Sequence, residues 1–166
     1  VTVECAASLL ALKSKRPVKM TLERPEVFMV TTKRHAMHIT EKLGATKDGR
    51  LTGLDVRIVS DGGAYHSYSM IVAGRMVIHT GMPFAIPNMR THLTSAFTNH
   101  VPSGAMRSFG VVKIAFANES LLNEIAWKLG ISPLEIRRIN GFREGSLAST
   151  GQVLEDVGYV KTVDAI

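Results

Sequence analysis

Cysteine is the scarcest of the chemically useful residues in this sequence. It occurs once, at Cys5, so no disulfide, thiolate zinc site or iron–sulfur cluster can be built from this chain by itself. A single thiol suits a reducing, cytoplasmic setting, and a small buried packing group is the expected role of Cys5. Aromatic residues make up only 6% of the chain, and no basic stripe is interleaved with rings. Nucleic-acid binding, which leans on such stripes and rings, is therefore not expected. No apolar run is long enough to span a membrane. The Gly-x-Ser-x-Gly nucleophile pattern, the phosphate loop and the dinucleotide glycine motif are all missing. Ser103 and Ser108 have no base identifiable from sequence and read as loop serines.

What is present is enough for one core. The 166 residues are 45% hydrophobic and 20% charged, which suits a single globular unit over 1–166. The formal net charge of +6 is scattered, with Lys13, Lys15, Arg16 and Lys19 the densest group. It fits a small anionic ligand or an acidic partner as well as anything larger. Val3, Ala6, Ala7, Leu10 and Ala11 recur at helical spacing from the outset. A helix that starts with no capping residue before it points to a piece of a longer protein, incomplete at both ends.

Pro17 ends that helix, and 17–23 alternates apolar and polar residues as a strand does, with Val18, Met20 and Leu22 on one face. Arg24-Pro25-Glu26 breaks it, and 27–32 reads as a turn or single helical turn. Strand alternation returns over 34–46, with Met37, Ile39 and Leu43 on one side. Asp48-Gly49 then signals a hairpin, and 51–60 is its partner strand, with Leu54, Val56 and Ile58 facing one way. Residues 61–64 read as a loop, 66–79 as partly helical and 88–98 as another strand. From Val111 to Leu129 the apolar residues Ile114, Ala115, Leu121, Leu122 and Ile125 form a helical stripe that Gly130 terminates. Ser132-Pro133-Leu134-Glu135 combines a capping box with proline at the first helical position, and that helix stops at Gly141. Strands followed by strands, with helices grouped elsewhere, indicate an α+β fold: a mixed or antiparallel sheet packed against helices.

The six histidines do not assemble a metal site from spacing alone, since His35 and His38 leave opposite faces of a strand. Two arginine-centred spots hold more promise. Residues 99–110 join a strand to the long helix, and there Arg107 and Phe109 sit among small residues. Arg34 stands where a turn enters a strand. An arginine fork suits an oxyanion or a heterocycle carbonyl, and a ring suits stacking on a flat substrate. A strand-to-helix loop can also offer backbone N–H groups to an anion. Each group alone is ordinary, either a solvated cation or a core ring.

Several stretches together resemble one family. They are Pro17-Val18-Lys19-Met20-Thr21-Leu22-Glu23-Arg24, Lys33-Arg34-His35, the 44–49 turn, Gly104-Ala105-Met106-Arg107-Ser108-Phe109-Gly110, Asn118-Glu119, and Ser132 through Asn140. The succession is similar to the molybdopterin-binding large subunit of the xanthine dehydrogenase/aldehyde oxidase family of molybdenum hydroxylases, and it covers essentially the whole chain. The resemblance implies that Gly104, Ala105, Met106 and Arg107 contact a molybdopterin-type molybdenum cofactor, with the Arg107 backbone amide beside the metal. It implies that Phe109 packs on the substrate and that Arg34 contacts it and favours purine-like heterocycles over aldehydes. Ser108 stands where the family more usually has glycine.

The same resemblance places the base glutamate beyond Ile166, and a glycine-rich loop with a second glutamate before Val1. Iron–sulfur clusters and FAD are expected on partner domains or subunits, and the full enzyme is expected to be an oligomer. Within the family, aldehyde, nicotinate-like and aryl-thioester (aryl-CoA) substrates are alternatives to purines. Outside it, the alternatives are a non-catalytic basic binding module or an inactive remnant.

Overall fold

The structure is a computed structural model and describes residues 2–166. Its centre is a three-stranded sheet in the order β1 (Met37–Ala45), β2 (Leu51–Gly63), β3 (Met89–Phe97). β1 and β2 form the antiparallel hairpin that Asp48-Gly49 foretells, pairing Met37 with Ser60 and Leu43 with Leu54. β2 then crosses through α3 (Ser69–Ile78) to pair with β3 in parallel, Leu54 opposite Met89 and Ile58 opposite Leu93. The sheet is therefore mixed, and the expected α+β class holds.

One face of the sheet is covered. Met76 of α3 and Ile114 of α4 (Val111–Leu129) close over Leu54, Val56 and Ile58, the alternate residues of β2. Farther along α4, Leu122 and Ala126 meet Leu51, Phe84 and Ile136, the last from α5 (Pro133–Asn140). The period of α4 explains its fit, because Ile114, Asn118, Leu122 and Ala126 recur every four residues and are its buried face. Asn140 at the end of α5 locks the hairpin turn. Its amide donates to Gly49 O and Ile136 O, and its oxygen accepts from Leu51 N–H, each at 2.8 Å. α6 (Tyr159–Asp164) packs on α5, with Arg138 paired to Asp164.

Some expectations need correcting. Residues 17–23 join no strand ladder among the described residues, and Met20 is exposed; alternation makes a strand only where a neighbour supplies hydrogen bonds. Arg24-Pro25-Glu26 does not break structure but opens α2 (Arg24–Val30), where proline near the start costs no hydrogen bond and Glu26 accepts from Glu23 N–H at 2.8 Å. Only half of the capping box before α5 forms: Ser132 Oγ accepts from Leu134 N–H at 3.2 Å, while Glu135 pairs with Arg138. Cys5 lies exposed on α1 (Thr2–Ser14), whose Leu9, Leu10 and Leu12 are uncovered too. Finally, the strand β2 runs on through Asp61-Gly62-Gly63 instead of ending in a loop there. A Cβ on Gly63, at φ +73°, would lie 2.5 Å from Val101 O and 2.7 Å from the Pro102 Cα. These glycines let the 101–103 segment lie directly on the strand end.

Candidate functional site

The 99–110 loop is fixed at its near end by three short contacts. Ser103 N–H donates to Gly62 O at 3.1 Å, Lys33 N–H to Pro102 O at 3.3 Å and Gly104 N–H to Lys33 O at 2.9 Å. Lys33 and Ser103 thus form a parallel bridge, which sets the two arginine-bearing segments side by side. Arg34 then reaches the loop itself, Nη2 donating to Arg107 O at 2.8 Å. The pairing of Arg34 with the Arg107 segment, across 73 positions of sequence, is the feature that makes this one site.

At its far end the loop turns sharply into α4. Ser108, Phe109 and Gly110 take φ of +70°, +52° and +98° in succession, with Phe109 N–H donating to Met106 O at 2.7 Å. Left-handed backbone is costly for residues with a Cβ, and at Ser108 glycine would fit without strain. Serine brings a compensation: its Oγ accepts from Val112 N–H at 3.3 Å, capping the first turn of α4. Gly110 is seated against α3, where a Cβ would lie 2.8 Å from Met76 Cγ and 3.0 Å from Val72 Cγ1.

A polar knot supports the loop from below. Asp61 accepts from Gly63 N–H at 2.8 Å and Thr98 Oγ1 at 2.6 Å through one oxygen, and pairs with His100 Nδ1 through the other. The Thr98 hydroxyl first, then His100, hold its carboxyl down at about 2. His35 is 2% exposed, with Nε2 2.7 Å from Ser69 Oγ. Burial, then the nearby Lys113 charge, keep its imidazole below the ordinary histidine range. Sequence reasoning does not single out Asp61, His35, Ser69 and Lys113 as site residues, because local spacing does not show that they meet.

Among the residues singled out from the sequence, Gly104 is buried, with Thr32 against it; Ala105, Met106 and Arg107 are exposed; Arg34 and Phe109 are half-buried. Arg34, Arg107 and Lys113 form no ion pair with an acidic side chain among the described residues. The described residues contain no cluster of three or more His, Cys, Asp and Glu able to hold a metal ion. A cleft of about 540 Å³ between the 80–89 and 142–151 segments lies apart from the loop, lined by Met82, Phe84, Phe142 and Leu147 among others. No described helix is long and apolar enough to cross a membrane.

Residues 1–141 match the model of the molybdopterin cofactor-binding domain. The chain belongs to that family. It is 41% identical over 165 residues to the nicotinate dehydrogenase large molybdopterin subunit of Eubacterium barkeri, covering 99% of this chain and 39% of that protein. It is 45% identical over 140 residues to a probable xanthine dehydrogenase subunit of Bacillus subtilis, covering 84% of this chain and 19% of that one. Among solved structures, the aldehyde oxidoreductase of Desulfovibrio desulfuricans superposes with a TM-score of 0.89 at 26% identity, over 98% of this chain and 18% of that chain. These names bear out the resemblance to the xanthine dehydrogenase/aldehyde oxidase family. This molybdopterin-binding domain spans well under half the length of the relatives it matches. Its site residues suit a molybdopterin group in their chemistry, since that group is anionic and Arg34, Arg107 and Lys113 have no acidic ion-pair partner among the described residues.

Proposed function

We propose that this domain is part of the large subunit of a molybdenum hydroxylase that hydroxylates an N-heterocycle of purine type, with water as the source of oxygen. The observation that carries the reading is the junction of Arg34 with the Arg107 loop, inside the stretch matched by the family. Gly104, Ala105, Met106 and Arg107 would hold the cofactor, which when bound supplies two-electron oxidation of the substrate. Arg34 keeps the loop in register by donating to the Arg107 carbonyl, and its guanidinium would be the cation that an electron-rich substrate group meets beside the loop. Phe109, pinned by the left-handed turn, offers a ring for a flat heterocycle to stack on. The proton acceptor, the iron–sulfur clusters and the FAD would come from the remaining polypeptide or from partner subunits. In this reading the 166 residues alone neither retain the cofactor nor turn over substrate.

The test is the full-length subunit co-expressed with its partners and assayed for molybdenum and pterin content and for oxidation of hypoxanthine, nicotinate and a simple aldehyde. Purine oxidation, sharply reduced in Arg34→Ala, whose side chain makes the contact with the Arg107 carbonyl, is the expected result. A pterin-free complex inactive on all three would overturn the proposal. A nicotinate-like substrate is the second reading, favoured by 41% identity across 99% of the chain to a nicotinate dehydrogenase subunit.

A further inference from the structure

We propose that the open face of the sheet is a docking surface for an extended acidic segment of another protein, one with Glu or Asp at alternate positions. Among the described residues, α3 and α4 cover only the side of the sheet that holds Leu54, Val56 and Ile58. The other side bears Thr40 and Lys42 of β1, Asp55 and Arg57 of β2, and Arg90 and His92 of β3, which line a groove of about 650 Å³. Strand pairing sets them in two rows. Lys42 lies opposite Asp55 and Asp55 opposite Arg90, while Thr40 lies opposite Arg57 and Arg57 opposite His92. Three cations thus meet one carboxylate, and that carboxylate is taken: Arg90 Nε and Nη2 donate to its two oxygens at 3.0 and 2.6 Å. Lys42 reaches Asp55 only through its charge. Lys42 and Arg57 are exposed and make no hydrogen bond or ion pair among the described residues. Arg57 stands diagonal to both Lys42 and Arg90, near enough for like charges to repel. Acids from outside would relieve that repulsion.

Size and character select the occupant. The edge strands β1 and β3 are 9 residues long, so the face measures roughly 10 by 30 Å, on the order of 300 Å². One partner of a standard complex buries about 800 Å², so this face suits a single segment rather than a whole domain. Outward side chains recur on every second residue, about 6.6 Å apart, and an extended partner has the same repeat. Acids at alternate positions therefore keep in step with the cations. A nucleic-acid strand fits less well, because no Phe, Tyr or Trp lines the groove for a base to stack on, and Asp55 stands among the cations. The apolar residues left uncovered on α1 and α2, Leu9, Leu10, Phe28 and Met29 among them, suit permanent cover. A charged face suits reversible contact with a separate protein. None of the groove residues belongs to the Arg34–Arg107 site, so this inference stands apart from the proposed function.

The experiment titrates the full-length protein with a short fluorescent peptide in which glutamate and threonine alternate. The comparisons are a peptide of the same composition with its glutamates in one block, and single-stranded DNA. The alternating peptide should bind more tightly than the block peptide and should loosen as salt rises. Its affinity should fall about tenfold or more in Arg57→Glu and in Lys42→Glu, with Arg57→Lys close to the parent. Both reversals lie at exposed positions, so the melting temperatures should stay near that of the parent. No binding of the alternating peptide, as when the rest of the polypeptide already lies on the face, would overturn the proposal. Equal binding of the two peptides, or an affinity untouched by Arg57→Glu, would overturn it as well. DNA bound as tightly as the alternating peptide would do the same, marking the face as a general polyanion surface. Arg57-dependent binding of the alternating peptide by a protein that holds no pterin would sink the proposed function and leave the docking face standing.

Discussion

Replacing Gly110 with alanine probes the joint between the candidate loop and the core. Two costs can be separated at this position. The first is backbone strain: at φ +98° a residue with a Cβ pays about 1–2 kcal/mol. The second is space, because the new methyl would meet Met76 Cγ at 2.8 Å, Val72 Cγ1 at 3.0 Å and Val72 O at 3.1 Å. Met76 could flex if it were at the surface, but it is fully buried, and the Val72 carbonyl belongs to the backbone of α3. Overpacking of this kind costs about 1–3 kcal/mol, so Gly110→Ala should destabilise by about 2–5 kcal/mol in all. Gly130→Ala is the control. It has φ +67° and open space, with nothing within 4 Å of where the methyl would stand, so it should lose only the strain, about 1–2 kcal/mol. Equilibrium denaturation of both variants gives the packing share by difference, about 1–3 kcal/mol with the denaturant slope unchanged. If Gly110→Ala proves no more damaging than Gly130→Ala, the loop is not seated on α3 and the site does not have this geometry.

Other positions yield sharper or smaller effects. Asn140→Ala should cost about 2–4 kcal/mol in denaturant unfolding, because it strands the Leu51 N–H and the Gly49 carbonyl where its own amide now satisfies them. Ser108→Ala keeps the left-handed strain but loses the hydroxyl that caps Val112, so a loss of about 0.5–2 kcal/mol is expected, with Ser108→Gly milder. Glu41 lies on the inward face of β1 beside Asn118, whose amide, oriented as its neighbours require, donates to Glu41 at 2.9 Å and accepts from Gly81 N–H. Burial pushes the Glu41 carboxyl from 4.5 up to about 7. The folded-state value lies above the unfolded one, so its stabilising share is complete below pH 4.5 and is lost as pH rises through 7. Glu41→Gln should therefore gain about 1–3 kcal/mol over the parent at pH 8 and little at pH 4.5, read from unfolding curves at both values. An equal gain at both would show that the carboxyl does not titrate in this range.

The parts of this molecule that can be read from sequence are those whose partners lie close along the chain. The hairpin closes over Asp48-Gly49, so its alternation and its turn signal reinforce each other locally. α4 carries its own stripe and its own terminating glycine. Where a partner is remote, the same signals mislead. Residues 17–23 alternate as a strand does yet find no ladder, and Gly62-Gly63 looks like a turn although its glycines admit the 101–103 segment. The site is the extreme case. Arg34 can be suspected as a cation and Arg107 as a loop residue, but their contact depends on a bridge between Lys33 and Ser103 that no spacing rule contains. At the level of sequence, only resemblance to the family joins them. Lys113 is hidden for a related reason. It sits one residue from the buried stripe of α4, a position that favours solvent until another segment crosses over it. Burial first, and then the charge of Arg34, lower the Lys113 ammonium to about 8, and neither its cover nor its like-charge neighbour can be read from local spacing.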